Sequence, residues 1–195
     1  MKTVFAVAAG IILAFVLLAG WSDFMRGLRP SLRQIENATT ATASTTPAAV
    51  GAQWKYYSSQ DEMGRGVARQ ASVNSTNMLE FRFPYANPQH ATLLLRTHPR
   101  YGKNVILQIE HGQFLCTSYM GCTVLVRFDE GAATKYSAVG PSDNSTDAIF
   151  IQNYQSFVSR MLKAQRVRIQ AEFYQEGAPT LDFDVSGFDA TKVQP

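Results

Sequence analysis

The stretch GQFLCTSYMGCTVLVRFDEG, residues 112–131, decides the fold class and poses the main chemical question. Its second half, CTVLVRFD (122–129), alternates, with Val124, Val126 and Phe128 on one parity and Thr123, Leu125 and Arg127 on the other. A period of two with β-branched and aromatic residues on one side is the pattern of a half-buried strand. Its first half brings in the only two cysteines of the chain, Cys116 and Cys122. Such a pair is half of a metal site, a redox pair or a structural disulfide. A zinc site needs further Cys or His ligands, and a redox pair normally has the shorter CxxC spacing at a helix start. A five-residue connection, between a strand ending near Leu115 and one beginning at Cys122, sets the two cysteines opposite each other at the mouth of a hairpin. That spacing favours a disulfide, conditional on export to an oxidising compartment. Its role would be to hold the turn 117–121, with Tyr119 and Met120, in one shape.

The same period recurs outward from this stretch. TLLLRTH (92–98), NVILQIEH (104–111), RVRIQAEFYQ (166–175) and TLDFDVSGF (180–188) all alternate. The inward residues are expected to be Leu93 and Leu95; Val105, Leu107 and Ile109; Val124, Val126 and Phe128; Val167, Ile169, Ala171 and Phe173; and Leu181, Phe183 and Val185. PRYGKN (99–104) and EGAP (176–179) supply turn chemistry between them. QWKYYSSQ (53–60) and GVARQASVNS (66–75) read as two further strands around the turn DEMGR (61–65). One segment, NYQSFVSRMLKAQ (153–165), changes period: Tyr154, Phe157, Val158, Met161 and Leu162 recur at helical spacing. The expected fold is mainly β, an antiparallel β-sandwich with one amphipathic α-helix capping an end of the sheets.

Before this domain the chain has a different character. Val4 to Trp21 is an uncharged apolar run of eighteen residues, longer than the usual core of a cleaved signal and at the lower limit for a membrane span. The organisation read from this is a transmembrane signal-anchor at 1–22, a juxtamembrane segment and Thr/Ala/Ser/Pro linker at 23–52, and the β-sandwich domain at 53–195. The alternative is a signal peptide cut after Ser22, where Gly20 and Ser22 supply the small residues that cleavage requires. Arg26, Arg29 and Arg33 follow the span and by the positive-inside rule weigh against export. The short N-terminal tail, the flexible linker and the cysteine pair weigh for it. The expected location is therefore the inner membrane, single-pass, with the C-terminal domain in the periplasm; with cleavage, the domain would be released there.

Charge narrows the partners. The chain of 195 residues carries a formal +3, but 14 of its 18 basic and 13 of its 15 acidic residues follow Gly51, so the domain is nearly neutral. It lacks the clustered Lys/Arg field that nucleic acid requires. The three histidines, His90, His98 and His111, have no partner at metal-ligand spacing. The carboxylate pairs Asp61/Glu62, Asp129/Glu130 and Asp182/Asp184 fall in turns or on the outer face of a strand, without the unequal desolvation that acid/base chemistry needs. No nucleophile elbow and no phosphate loop occurs. The expectation is a binding protein rather than an enzyme, without cofactor or metal. Its contact residues would come from the stapled loop, Tyr119 and Met120, and from the exposed rim PSDNSTDAIF (141–150), at Ser142, Asp143 and Asn144. Tyr56, Tyr57, Tyr85 and Tyr101 are further contact candidates.

Trp54, the strand LLLR (93–96), the strand VLVRFD (124–129), the Ser/Thr-rich turn at 142–146, the helix with Phe157, Met161 and Leu162, and the closing FDVSGF (183–188) occur in an order that resembles the small VasI-like proteins associated with type VI secretion. The resemblance covers residues 53–188 and carries no catalytic motif; the anchor and linker fall outside it. It implies an exported, non-catalytic β-rich accessory domain. The function expected is a membrane-anchored envelope protein whose domain binds another envelope or secretion-apparatus protein. Two alternatives are a periplasmic inhibitor that plugs an envelope hydrolase, and an enzyme with a dispersed site.

Overall fold

The computed structural model describes residues 51–194. The expected anchor and nearly all of the linker lie outside them; among the described residues no helix is long and apolar enough to cross a membrane. The strands are β1 Lys55–Gln60, β2 Val67–Asn74, β3 Thr92–His98, β4 Gly102–Gln108, β5 Cys122–Phe128, β6 Thr134–Val139, β7 Ala148–Ile151, β8 Arg166–Gln170 and β9 Thr180–Asp184. One helix, α1 Tyr154–Met161, lies between β7 and β8, and a short 3-10 turn, Ala190–Val193, follows β9. The described residues are mainly β and antiparallel throughout, with a single α-helix, as the periodicities predict.

Where two stacked sheets were expected, the strands form one continuous sheet in the order β1-β2-β3-β4-β7-β6-β5-β8-β9. Its two ends approach each other. Thr76 N–H, just past β2, donates to Asp182 O of β9 (2.7 Å), and the Asn77 amide brackets the same strand, accepting from Asp182 N–H and donating to Thr180 O (both 2.9 Å). Gln53 Nε2, just before β1, donates to Ser186 O (2.8 Å). A twisted sheet of this many strands curls rather than lying flat, and here the curl is closed by side-chain and loop hydrogen bonds instead of a ninth strand pair.

All fifteen residues expected to point inward are buried in one core. β4 pairs with β7 rather than with β5, so two connections must cross neighbouring strands: residues 109–121 at one end, and α1 at the other. Helix α1 starts at Asn153, whose side-chain oxygen accepts from Ser156 N–H (3.3 Å). It buries Phe157, Val158 and Met161, and Phe157 meets the edges of Phe128 (5.4 Å between centroids) and Tyr136 (5.8 Å). Leu162, expected on the same face, is instead 51% exposed, because the helix lasts only eight residues and Leu162 is its C-cap. Strands β8 and β9 are shorter than their alternation suggests. Past Gln170, Phe173 leaves the β9 ladder and bridges Phe114 and Gly177.

Phe157→Ala or Phe183→Ala should lower the unfolding free energy by about 3–5 kcal/mol, and Leu162→Ala by less than about 0.5, in urea titrations. Charge-assisted hydrogen bonds from the Arg166 guanidinium hold the Asp182 carboxyl below the ordinary aspartate value. That contribution is fully present above about pH 3.9 and is lost as the pH falls through the lowered folded-state value. Asp182→Asn should therefore be less stable near neutrality and lose stability less steeply in acid, as measured by urea midpoints from pH 7 to pH 2.

Candidate functional site

The connection 109–121 carries Cys116 across the end of β7 and β6 to Cys122, the first residue of β5. Phe114 bridges Phe173, Leu115 N–H donates to Glu172 O (2.9 Å), and the chain then turns back on itself. Cys116 and Cys122 are disulfide-bonded, 5.0 Å apart at Cα. Thr117 and Gly121 bridge each other inside the bond, with Gly121 N–H donating to Thr117 O (3.0 Å). The cysteines thus face each other as expected, but across a one-bridge turn: the ladder partners of β5 are β6 and β8, and no strand ends at Leu115. Gly121, at φ +69°, occupies a backbone conformation that favours glycine and lies against Ala138 O.

This turn leans on the rim at the end of β6. Gly140 N–H donates to Thr117 O (3.4 Å), and a side chain at Gly140 would overlap the Cys116 carbonyl oxygen. Ser118 Oγ donates to Asn144 Oδ1 (3.1 Å). The rim has its own internal geometry. Asn144 N–H donates to Pro141 O (3.1 Å), Asn144 is left-handed at φ 59°, and Asp143 Oδ1 accepts from Ser145 N–H (3.0 Å), which holds the Asp143 carboxyl below its usual range. Two candidate regions more than twenty residues apart are thereby brought together.

Between them lies a groove of about 440 Å³, lined by the stapled turn on one side and by Gly140, Pro141, Asn144 and Ser145 on the other. Tyr119 and Met120 stand at its lip, 82% and 80% exposed, with Leu115 half-exposed beside them. Ser142 and Asp143 face away from it, into a second groove of about 520 Å³ shared with Arg96, Tyr101, Asn104 and Phe150. Leu115 and Arg96 were not among the expected contact residues. Leu115 sits beside the cysteine, and Arg96 is an outward residue in a strand read only for its core face.

Most of the remaining candidates serve the fold. Tyr56 OH accepts from Asp189 N–H (2.7 Å), and Tyr85 OH accepts from Gln113 Nε2 (2.9 Å); Tyr57 and Tyr101 are exposed. Asp61 pairs with Arg65, Asp129 accepts from the Gln165 and Arg166 N–H groups (both 2.9 Å), Glu130 lies between Arg127 and Arg168, and Asp184 accepts from Ser186 N–H. His98 Nδ1 accepts from Arg100 N–H (3.0 Å) and its ring packs on Tyr101. Among the described residues no three His, Cys, Asp or Glu side chains converge on a point where they could hold a metal.

No family model matches the chain, and no curated protein matches it. Among solved structures, the crystal structure of invasion associated protein b from Bartonella henselae is similar at 11% identity with a TM-score of 0.43, covering 70% of this chain and 86% of that one.

Replacing both cysteines with serine should cost about 2 kcal/mol, the loop-closure value for so short a ring, and should open the turn 117–121 to proteolysis. Gly140→Ala keeps the disulfide but forces a methyl group against the Cys116 carbonyl. It should cost about 1–3 kcal/mol in chemical denaturation, with both thiols still unreactive until reductant is added.

Proposed function

We propose that this chain is a membrane-tethered module whose β-domain lies on the periplasmic side of the inner membrane and binds another envelope or secretion-apparatus protein. The observation that carries this reading is the pair Tyr119 and Met120, exposed on a turn whose backbone is closed by a disulfide and backed by a glycine rim, beside an apolar groove. Aromatic and methionine side chains are enriched at interfaces, and anchors already held in their bound shape lose less entropy on association. Export is supported by the disulfide itself, since structural disulfides persist in oxidising compartments. The eighteen-residue apolar run and the Thr/Ala/Ser/Pro linker supply the tether in this reading. The order of sequence features over residues 53–188 that resembles VasI-like proteins is in keeping with this reading, an accessory that binds rather than catalyses. One alternative retains a specific observation: a stapled loop that projects past its own surface is also the shape of a plug for a hydrolase cleft.

The experiment is recovery of partners from detergent-solubilised membranes with the full-length chain and with a Tyr119→Ala/Met120→Ala variant. Loss of about tenfold or more of a discrete partner in the double variant is expected if these residues are anchors. Equal recovery by a variant that still unfolds at the normal temperature overturns the assignment. A recovered hydrolase whose activity falls on adding the purified chain selects the inhibitor. In intact cells an impermeant thiol reagent should label Cys116 and Cys122 only after reduction; labelling confined to lysed cells would place the domain inside.

A further inference from the structure

The second groove holds a charge with no counter-charge. Arg96 lies on the outer face of β3, paired across the ladder with Asn104 of β4. Its Nε and Nη2 donate to Asn104 Oδ1 (3.2 and 2.9 Å), and its guanidinium carbon lies 5.7 Å from the Tyr101 ring centroid and 5.8 Å from that of Phe150. The guanidinium is half-buried, and burial pushes its pKa down, as expected for a cation that has lost part of its hydration. No carboxylate among the described residues forms an ion pair with it. Asp143, on the wall of the same groove, is turned back to the Ser145 N–H. The three arginines on the outer face of β5 and β8, by contrast, are all matched: Arg127 and Arg168 to Glu130, Arg166 to Asp182.

The donors that remain to Arg96 are specific. Asn104 uses the Nε edge, which leaves the Nη1 and Nη2 end free to form two parallel hydrogen bonds. That fork fits a carboxylate. Beside it Phe150 and Pro141 offer apolar surface, and Pro141 also lines the stapled groove, so the two grooves are separated only by the rim.

We propose that this groove is the charged half of the docking surface, and that it receives an Asp or Glu side chain from an extended segment of the partner protein whose neighbouring apolar residue rests against Tyr119 and Met120. This rests on the function proposed above and adds the chemistry of the partner. Charge complementarity selects the occupant. An incompletely solvated guanidinium held by Asn104 gains most from a carboxylate, and the Tyr101, Phe150 and Pro141 surfaces beside it favour a segment in which that acid is flanked by an aromatic or aliphatic residue.

The test is photocross-linking of the full-length chain in its own membrane, with p-benzoylphenylalanine at position 142 in one strain and at position 119 in another, and sequencing of the attached peptide. From position 142 the expected product is a partner peptide with Asp or Glu within a few residues of the attachment point. Arg96→Gln should lower its yield about tenfold, Arg96→Lys should restore part of it, and Lys163→Gln, an exposed cation after α1, should leave it unchanged. Normal thermal unfolding of the Arg96 variants keeps the comparison valid. If position 119 still captures a partner while Arg96→Gln leaves the yield from 142 intact, the carboxylate site is wrong and the docking loop stands. An attached peptide without an acid, a second copy of this chain, or lipid at position 142 also overturns it. No cross-link from either position removes both readings.

Discussion

One face of a nine-stranded sheet carries nearly all the large apolar side chains of this domain, and a flat sheet would leave that face in water. The inward rows from Trp54 to Val185 are continuous across the ladder, so burying them requires the sheet to curl until β9 approaches the chain around β1 and β2. The curl leaves an unmatched backbone edge on β9. Thr76 and Asn77 meet it with a backbone donor and a side-chain amide, so the seam is closed by polar groups that would otherwise be edge liabilities. Closure also dictates the connections. Because β4 is followed in space by β7 rather than by β5, the chain must pass over two strand ends before β5 can begin.

That crossing explains why the disulfide lies where it does. Residues 109–121 leave the sheet for thirteen positions without a continuous ladder partner, supported by Phe114 under Phe173, by single backbone bonds, and by the side chains of Gln89, which accepts from Glu110 and His111 N–H, and Tyr85, which accepts from Gln113. A short ring at the end of the crossing removes the freedom of the last turn just where it must re-enter β5. Gly140 lets the ring settle onto β6 at backbone contact distance, and Ser118 ties it to Asn144. The exposure of Tyr119 and Met120 is thus a by-product of topology that binding can use: the turn cannot go inward, because Ala138 and Gly140 already occupy that space.

Much of this was legible in the sequence because alternation reports directly on which face is buried. Every residue assigned to the inward parity is buried, since a one-residue slip would have placed the whole row in water. The connectivity was not legible. Strand β6, TKYSAV, has only Tyr136 and Ala138 on its inner parity and Lys135 and Ser137 outside, so it reads as part of a polar linker; its place is set by neighbours on both sides. The division into two sheets failed for the same reason, because strand pattern specifies faces and leaves the order of neighbours to tertiary contacts. The disulfide was readable from spacing. The approach of its loop to the rim was not, since it depends on Gly140, whose importance comes from the Cys116 carbonyl and not from any local pattern.

In VILQ of β4 the alternation fails: Ile106 is on the solvent side and yet only 4% exposed. It belongs to a cross-strand row, Leu94, Ile106, Phe150 and Val139, that runs from β3 to β6 on the face opposite the core. Val139 ends that row against Gly121, at the base of the stapled turn, while Arg96 lies over Phe150 in its middle. An apolar row on an outer face is costly to leave in water, and here part of its cover is an arginine held by Asn104. The two grooves meet at Gly140 and Pro141, which line both. In the proposed reading, a segment that satisfies the arginine crosses this shared border toward Tyr119 and Met120, so that charge and apolar contact would act on one partner rather than on two.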